Sequence, residues 1–182
     1  MEIQYTPFEG LIIIKPKIFK DSRGYFFESY QSERYQKIGI PSNFVQDNLS
    51  FSTKNVIRGL HFQNPPYAQG KLVFVVKGKV LDVVVDIRKN SPTYGQHFSI
   101  ELSDENHLQL WIPIGFAHGF SVLSDYAYFS YKCTQLYHQP SEDGILFNDP
   151  DLKIDWKVEN PIVSVKDLQL QKFCNLQTQF TI

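Results

Sequence analysis

The amino-acid sequence predicts a mainly β fold, a sandwich or barrel of short strands with a few short helices. Turn-forming residues set the first constraint: 10 glycines and 10 prolines are scattered through 182 residues and break the chain at short intervals. Between the breaks lie runs rich in Val, Ile, Phe and Tyr, with aromatic residues at 15% of the chain, a composition that suits pleated, buried strands. The length is enough to bury a core without disulfides, and no repeat, low-complexity tract or linker divides it. Residues 1–182 are therefore read as a single domain.

Taken in order, the apolar run from Gly10 to Ile18 predicts an edge strand that ends in Lys and Pro. In DSRGYFFE, Asp21 to Glu28, a turn at Ser22–Gly24 leads into a strand. Ser29 to Gly39 reads as a short helix with Ser32 as its cap and Gly39 at its end. FVQDNLSF, Phe44 to Phe51, alternates, so Gln46 and Asn48 share one face. The central stretch NVIRGLHFQNPPYAQGKLVFVV predicts a hairpin of two strands, Asn55 to Phe62 and Lys71 to Val76, around a loop holding Pro65, Pro66 and Gly70. Gly78 then turns the chain into a strand from Val80 to Ile87, which Ser91–Pro92 ends. HFSIELSDENHLQLWIP gives two strands about a turn at Ser103–Asn106, and GFAHGFSVLSDYAYFSYKCTQLY two more about Ser124–Asp125. Beyond Asp149, DPDLKIDW predicts a loop and short strand, and Ser164 to Phe173 a helix near the C-terminus.

A formal net charge of −1 supplies no field that would favour nucleic acid or an anionic membrane. Cys133 and Cys174 form neither a CxxC pair nor a zinc-like spacing, which points to a reducing compartment. No stretch approaches the roughly 20 apolar residues of a membrane span. MEIQYTPFEG lacks the charged and apolar parts of a signal peptide, so the expectation is a cytoplasmic protein.

Polar residues set inside the apolar central stretch carry the functional signal. Arg58, His61, Gln63 and Lys71 lie on or beside strands whose other residues call for burial, and a buried cation or imidazole is costly without a partner. WIPIGFAHGF contains Pro113-x-Gly115-x-x-His118, the spacing of the second motif of cupin barrels, so the fold class narrows to a cupin-type jelly roll. The first cupin motif offers His-x-His and then Glu; here the matching residues are His61-x-Gln63 and Lys71. An ammonium has no lone pair to give and repels a cation, so this pocket is expected to hold no metal.

On the residues alone each candidate keeps two readings. His61 is a proton acceptor, since an imidazole ordinarily titrates near neutrality, or a core histidine with its hydrogen bond satisfied. Lys71 neutralises an oxyanion or is a solvated strand end. Tyr131, on one face with Phe129 and Cys133, donates a proton or only packs. Asp167, three after Ser164, completes a capping box or orients His61. Arg58 and His61 are three apart, so a regular strand would point them to opposite faces; either Gly59 carries a bulge or Arg58 acts from beyond the strand end.

With these motifs in place, the chain resembles the dTDP-4-dehydrorhamnose 3,5-epimerases, metal-free cupins of rhamnose biosynthesis. The likeness runs nearly end to end through DSRGYFFE, QDNLSFS, VIRGLHFQ, PPYAQGKLV, VVDIRKNSPTYG, WIPIGFAHGF, YKCTQLY, NDPDLKIDW and SVKD, with departures at Phe62, Ile114 and Val165. The resemblance implies His61 as general base paired with Asp167, Tyr131 as acid, and Lys71 beside the sugar's C4 carbonyl oxygen. It implies substrate binding by Arg23, Phe26, Glu28, Gln46, Asp47, Asn48, Arg58, His118, Tyr137, Glu142 and Lys166, with Tyr137 stacking on thymine. It further implies no cofactor, no metal and no nucleic-acid or membrane partner, and a homodimer whose N-terminal strands serve the neighbouring site. The reaction expected is 3,5-epimerisation of dTDP-4-dehydro-6-deoxy-D-glucose. Alternatives are a single-carbon epimerase or ketoisomerase, a metal cupin, and a non-catalytic sugar-nucleotide binding module.

Overall fold

Strands with an apolar face must bury it, and here two sheets do so against each other. The computed structural model describes residues 1–182. In chain order the strands are Glu2–Tyr5 (β1), Ile12–Lys15 (β2), Phe19–Asp21 (β3), Gly24–Phe26 (β4), Gln46–Thr53 (β5), Ile57–Gln63 (β6), Lys71–Lys77 (β7), Lys79–Asp86 (β8), His97–Ser103 (β9), Gln109–Ile112 (β10), Phe116–Val122 (β11), Tyr126–Cys133 (β12) and Glu142–Gly144 (β13). One sheet has the order β1-β2-β10-β7-β12-β5 and the other β13-β6-β11-β8-β9, while β3 and β4 form a separate hairpin. All ladders are antiparallel, and the face-to-face pair is the double-sheet jelly roll that the sequence predicts.

Alternation divides the side chains into three packed layers. Val73 and Val75 of β7, Val80 and Val84 of β8, Phe116 and Phe120 of β11 and Phe129 of β12 meet between the sheets. The intervening Leu81, Val83 and Val85 pack outward under Phe147, Leu152, Trp156 and Phe180. Because β8 is covered on both faces, it carries consecutive apolar residues, Val80–Leu81 and Val83–Val84–Val85, in place of strict alternation. On the other side Ile12, Ile14 and Leu72 lie under Tyr35 and Ile40.

Several expectations are corrected. The central stretch is not a hairpin: β6 and β7 belong to different sheets, and the Asn64–Gly70 connection carries the chain across the sandwich. β2 is not an edge strand; Ile12, Ile13 and Ile14 are all buried, and β1, outside it, takes the edge. The first helix is only Ser32–Gln36 (α1), capped by the Gln31 side chain, which accepts from the Arg34 N–H, and not by Ser32. The second is one turn, Val165–Leu168 (α2), where ten residues were expected. The chain leaves the helix because Gln171 is drawn into pairing with Ile145, its carbonyl accepting from Leu146 N–H at 2.8 Å. No strand forms in 149–156: the Asp149 carboxylate accepts from the N–H groups of Asp151, Leu152 and Phe173, and fixes the segment as a loop.

Candidate active site

A cavity of about 500 Å³ opens between the sheets, and a smaller one of about 100 Å³ shares His61, Lys71 and Tyr131 with it. The five-stranded sheet contributes Arg58 and His61 from β6 and His118 from β11; the six-stranded sheet contributes Lys71 from β7 and Tyr131 from β12. The base candidate thus stands on one wall, with the cation and phenol on the other.

A bulge solves the spacing of Arg58 and His61. His118 pairs with His61 and Phe120 with Arg58, so three steps along β6 match two along β11. The surplus residue falls next to Gly59, which has φ +113° and whose absent Cβ would lie 2.6 Å from Gly119 Cα and from the His118 carbonyl. Only glycine fits that approach. Arg58 and His61 consequently both line the cavity. The Arg58 guanidinium is steadied by Ser52 Oγ at 2.9 Å and the Phe51 carbonyl at 3.2 Å.

His61 Nε2 lies 2.8 Å from Asp167 Oδ1, while Asp167 Oδ2 accepts from Gly59 N–H at 3.2 Å. Burial alone would raise the Asp167 carboxyl, but the hydrogen bonds of His61, Gly59 and Ser164 hold it below the usual carboxylate range. A carboxylate can only accept, which assigns the neutral ring's proton to Nε2 and leaves Nδ1 as the basic nitrogen. The helix cap does not compete, because Ser164 Oγ takes the Asp167 backbone N–H at 3.1 Å, which leaves Oδ1 to His61 and Oδ2 to Gly59.

Opposite, the Lys71 ammonium lies 5.9 Å from the Tyr131 ring centre. Burial lowers the Lys71 pKa, against the pull of Cys133, Asp82 and Glu142. Burial raises the Tyr131 phenol, so it keeps its proton at neutral pH. Lys71 therefore points inward and is not a solvated strand end.

Around this centre, Glu142 Oε2 accepts from both Tyr137 Oη and Lys166 Nζ at 2.6 Å. Desolvation works to raise Glu142, but those two bonds outweigh it and hold the carboxyl low. Gln46 and Asn48 face the smaller cavity and bond to each other at 3.0 Å. His118 Nε2 is 2.9 Å from Asp82 Oδ2, a fully buried acid behind the cavity wall that sequence reading missed. Its signal is an aspartate inside the valine run VLDVVVD.

Four expected site residues line neither cavity. Arg23 and Phe26 project on the exposed β3–β4 hairpin, where Arg23 pairs with Asp21 at 2.6 Å. Glu28 bonds Arg34 at 3.0 Å. Asp47 points away on the outer face of β5, paired with Lys132 at 2.9 Å.

Chemically, the cavity offers an oriented imidazole, an ammonium and a protonated phenol. No three His, Cys, Asp or Glu side chains converge to ligate a metal, and Lys71 occupies the place of a cupin carboxylate ligand. A family model described as dTDP-4-dehydrorhamnose 3,5-epimerase matches residues 5–175. The dTDP-4-dehydrorhamnose 3,5-epimerase of Shigella flexneri is 52% identical over 95% of this chain and 96% of its own. That of Methanothermobacter thermautotrophicus is 50% identical over 89% of each. A Legionella pneumophila dTDP-6-deoxy-D-glucose-3,5-epimerase, solved in complex with dTDP-4-keto-L-rhamnose, superposes with a TM-score of 0.92 at 50% identity, covering 96% of this chain and 94% of that one. End-to-end similarity at this level shows that the chain belongs to the dTDP-4-dehydrorhamnose 3,5-epimerase family.

Proposed function

We propose that this protein epimerises dTDP-4-keto-6-deoxy-D-glucose at C3′ and C5′, giving dTDP-4-keto-L-rhamnose, with side chains alone as acid and base. The observation that carries the reading is the Asp167-held imidazole of His61 set across one cavity from Lys71 and Tyr131. Hydrogens at C3′ and C5′ are acidic because the C4′ ketone accepts the electron pair. Nδ1 of His61 takes the proton, the pair moves onto the ketone oxygen, and the Lys71 ammonium stabilises the resulting enolate. Tyr131 then delivers its proton to the opposite face of the same carbon, which inverts it. Proton exchange with water resets both groups for the second carbon.

Arg58 supplies a planar donor fork for the diphosphate, Gln46, Asn48 and His118 polar contacts, and Tyr137 a platform for the base. Glu142 and Lys166, already paired, complete the rim. Arg23, Phe26 and Glu28 are assigned to a neighbouring copy's site, and the homodimer is supported by exposed Leu49, Phe51, Tyr126 and Tyr128 on the outer face of β5 and β12. A cytoplasmic setting is supported by two free cysteines; no helix is long and apolar enough to cross a membrane.

Proton NMR of the 4-keto sugar nucleotide in D₂O tests the proposal. Deuterium at C3′ and C5′ with the L-rhamno product is expected. Exchange at one carbon only would reduce the assignment to a single-centre epimerase, and binding without exchange would refute catalysis.

A further inference from the structure

Gln63 follows His61 by two residues, on the same face of β6, at the position where a metal cupin has its second histidine. Here the side chain is 4% exposed and fully engaged with main chain. Its Nε2 donates to the carbonyls of Tyr67 at 2.6 Å and Leu136 at 3.2 Å, and its Oε1 accepts from the His138 N–H at 2.8 Å. An amide nitrogen has two hydrogens, so no donor remains for a ligand although the residue borders the smaller cavity.

Leu136 and His138 flank Tyr137, whose own N–H donates to Gln46 Oε1 at 2.8 Å. The two consecutive peptide units on either side of Tyr137 are thus pinned by two glutamines, one from each sheet. The same amide ties down both partners of the Tyr67–His138 ring stack, 3.7 Å apart and 13° from parallel. By contrast the Tyr137 side chain is exposed and held only through its hydroxyl to Glu142.

We propose that Gln63 is a positioning residue that pre-orders the 134–138 segment, so that Tyr137 stands ready to stack on the nucleotide base. This role rests on Tyr137 being the base platform. Pre-ordering lowers the entropy lost on binding; it acts equally on ground and transition states and therefore on KM and not on kcat.

The test uses Gln63→Met, which keeps bulk but loses all three bonds, and Gln63→Glu, which keeps the acceptor for His138 and loses the donors. The probe is dTDP, which lacks the reacting sugar, titrated by calorimetry. In the Met variant the dTDP Kd and the substrate KM are expected to rise about tenfold, as loss of a buried hydrogen-bond set implies, with kcat within about twofold. The Glu variant changes in the same direction, and retained kcat at saturation certifies the fold of whichever variant is read. In a Tyr137→Ala background, Gln63→Met should cost no further dTDP affinity. Wild-type dTDP affinity in both variants, an undiminished loss on top of Tyr137→Ala, or a fall in kcat at constant KM would each overturn the proposal. If Tyr137→Ala itself leaves dTDP affinity intact, the platform reading fails and the positioning role with it. If Tyr137→Ala weakens dTDP and the Gln63 variants do not, only the positioning role falls.

Discussion

Asp167→Asn separates the carboxylate's service to His61 from its place in the fold. When His61 accepts a proton it becomes a cation 2.8 Å, atom to atom, from Asp167 Oδ1. At an effective dielectric near 20, opposite charges centred about 4 Å apart attract by ~4 kcal/mol. Since each ~1.4 kcal/mol is a factor of ten in rate, loss of the charge alone lowers kcat by about 10²- to 10³-fold. A second effect adds to this. Two donors, His61 Nε2–H and Gly59 N–H, now compete for the single oxygen of the amide. When Gly59 wins, the amide NH₂ faces His61, the ring proton moves to Nδ1 and the base is lost, a wrong-tautomer penalty that reaches about 10⁴. The helical turn survives, because Ser164 Oγ bonds the residue's backbone N–H. Melting should shift by about 2–4 °C per kcal/mol lost, and by no more than about twice that. The assay is deuterium incorporation by proton NMR alongside a thermal melt. A kcat within tenfold of wild type, or loss of the cooperative melt, would refute the reasoning.

Three further outcomes are expected. Tyr131→Phe should keep deuterium exchange and lose inversion, monitored by the same NMR; full epimerase activity would remove Tyr131 from the acid role. Gly59→Ala, which sets a Cβ 2.6 Å from Gly119 Cα at φ +113°, should cost about 2–4 kcal/mol in urea unfolding, and a change below 1 kcal/mol would show that the bulge tolerates a side chain. Acid should destabilise the protein. The Asp86 and Asp167 carboxyls, although burial works to raise them, are held below the ordinary 3.8, by Arg88, Ser91 and Thr93 in one case and by His61, Gly59 and Ser164 in the other. Their contribution is complete above the unfolded value and is lost as pH falls through the lower folded values, so the urea midpoint should be flat from about pH 7 to 5 and drop below about 4. Asp86→Asn should flatten that drop.

The strands were legible because alternation and turn residues act locally, and β5, β7 and β8 lie within two residues of where the pattern puts them. The parts that went astray depend on distant partners. The one-turn α2 yields to a pairing of Gln171 with Ile145, and the 149–156 loop to a carboxylate that bonds Phe173 N–H far along the chain. β6 and β7 read as a hairpin because nothing local distinguishes a return along one sheet from a crossing to another. In the site, Arg58, His61, Gln63 and Lys71 stand out as polar residues in apolar strands, and Tyr131 by the face it shares with Phe129 and Cys133. Asp82 did not, although it reaches His118 across two strands of one sheet, because its partner lies 36 residues away.

The extra residue in β6 has a further consequence for how this enzyme can vary. Arg58 and His61 share a cavity only because one strand is out of step with its neighbour there. Forcing that three-residue spacing into a regular pleat, as a side chain at position 59 that rejects φ +113° would do, swings one of the two out of reach. The shared placement of Arg58 and His61 is therefore tied to the glycine between them. Adaptation to a different nucleotide sugar has to come through exchanged side chains on β5 or in the 134–138 segment, where no such register is at stake.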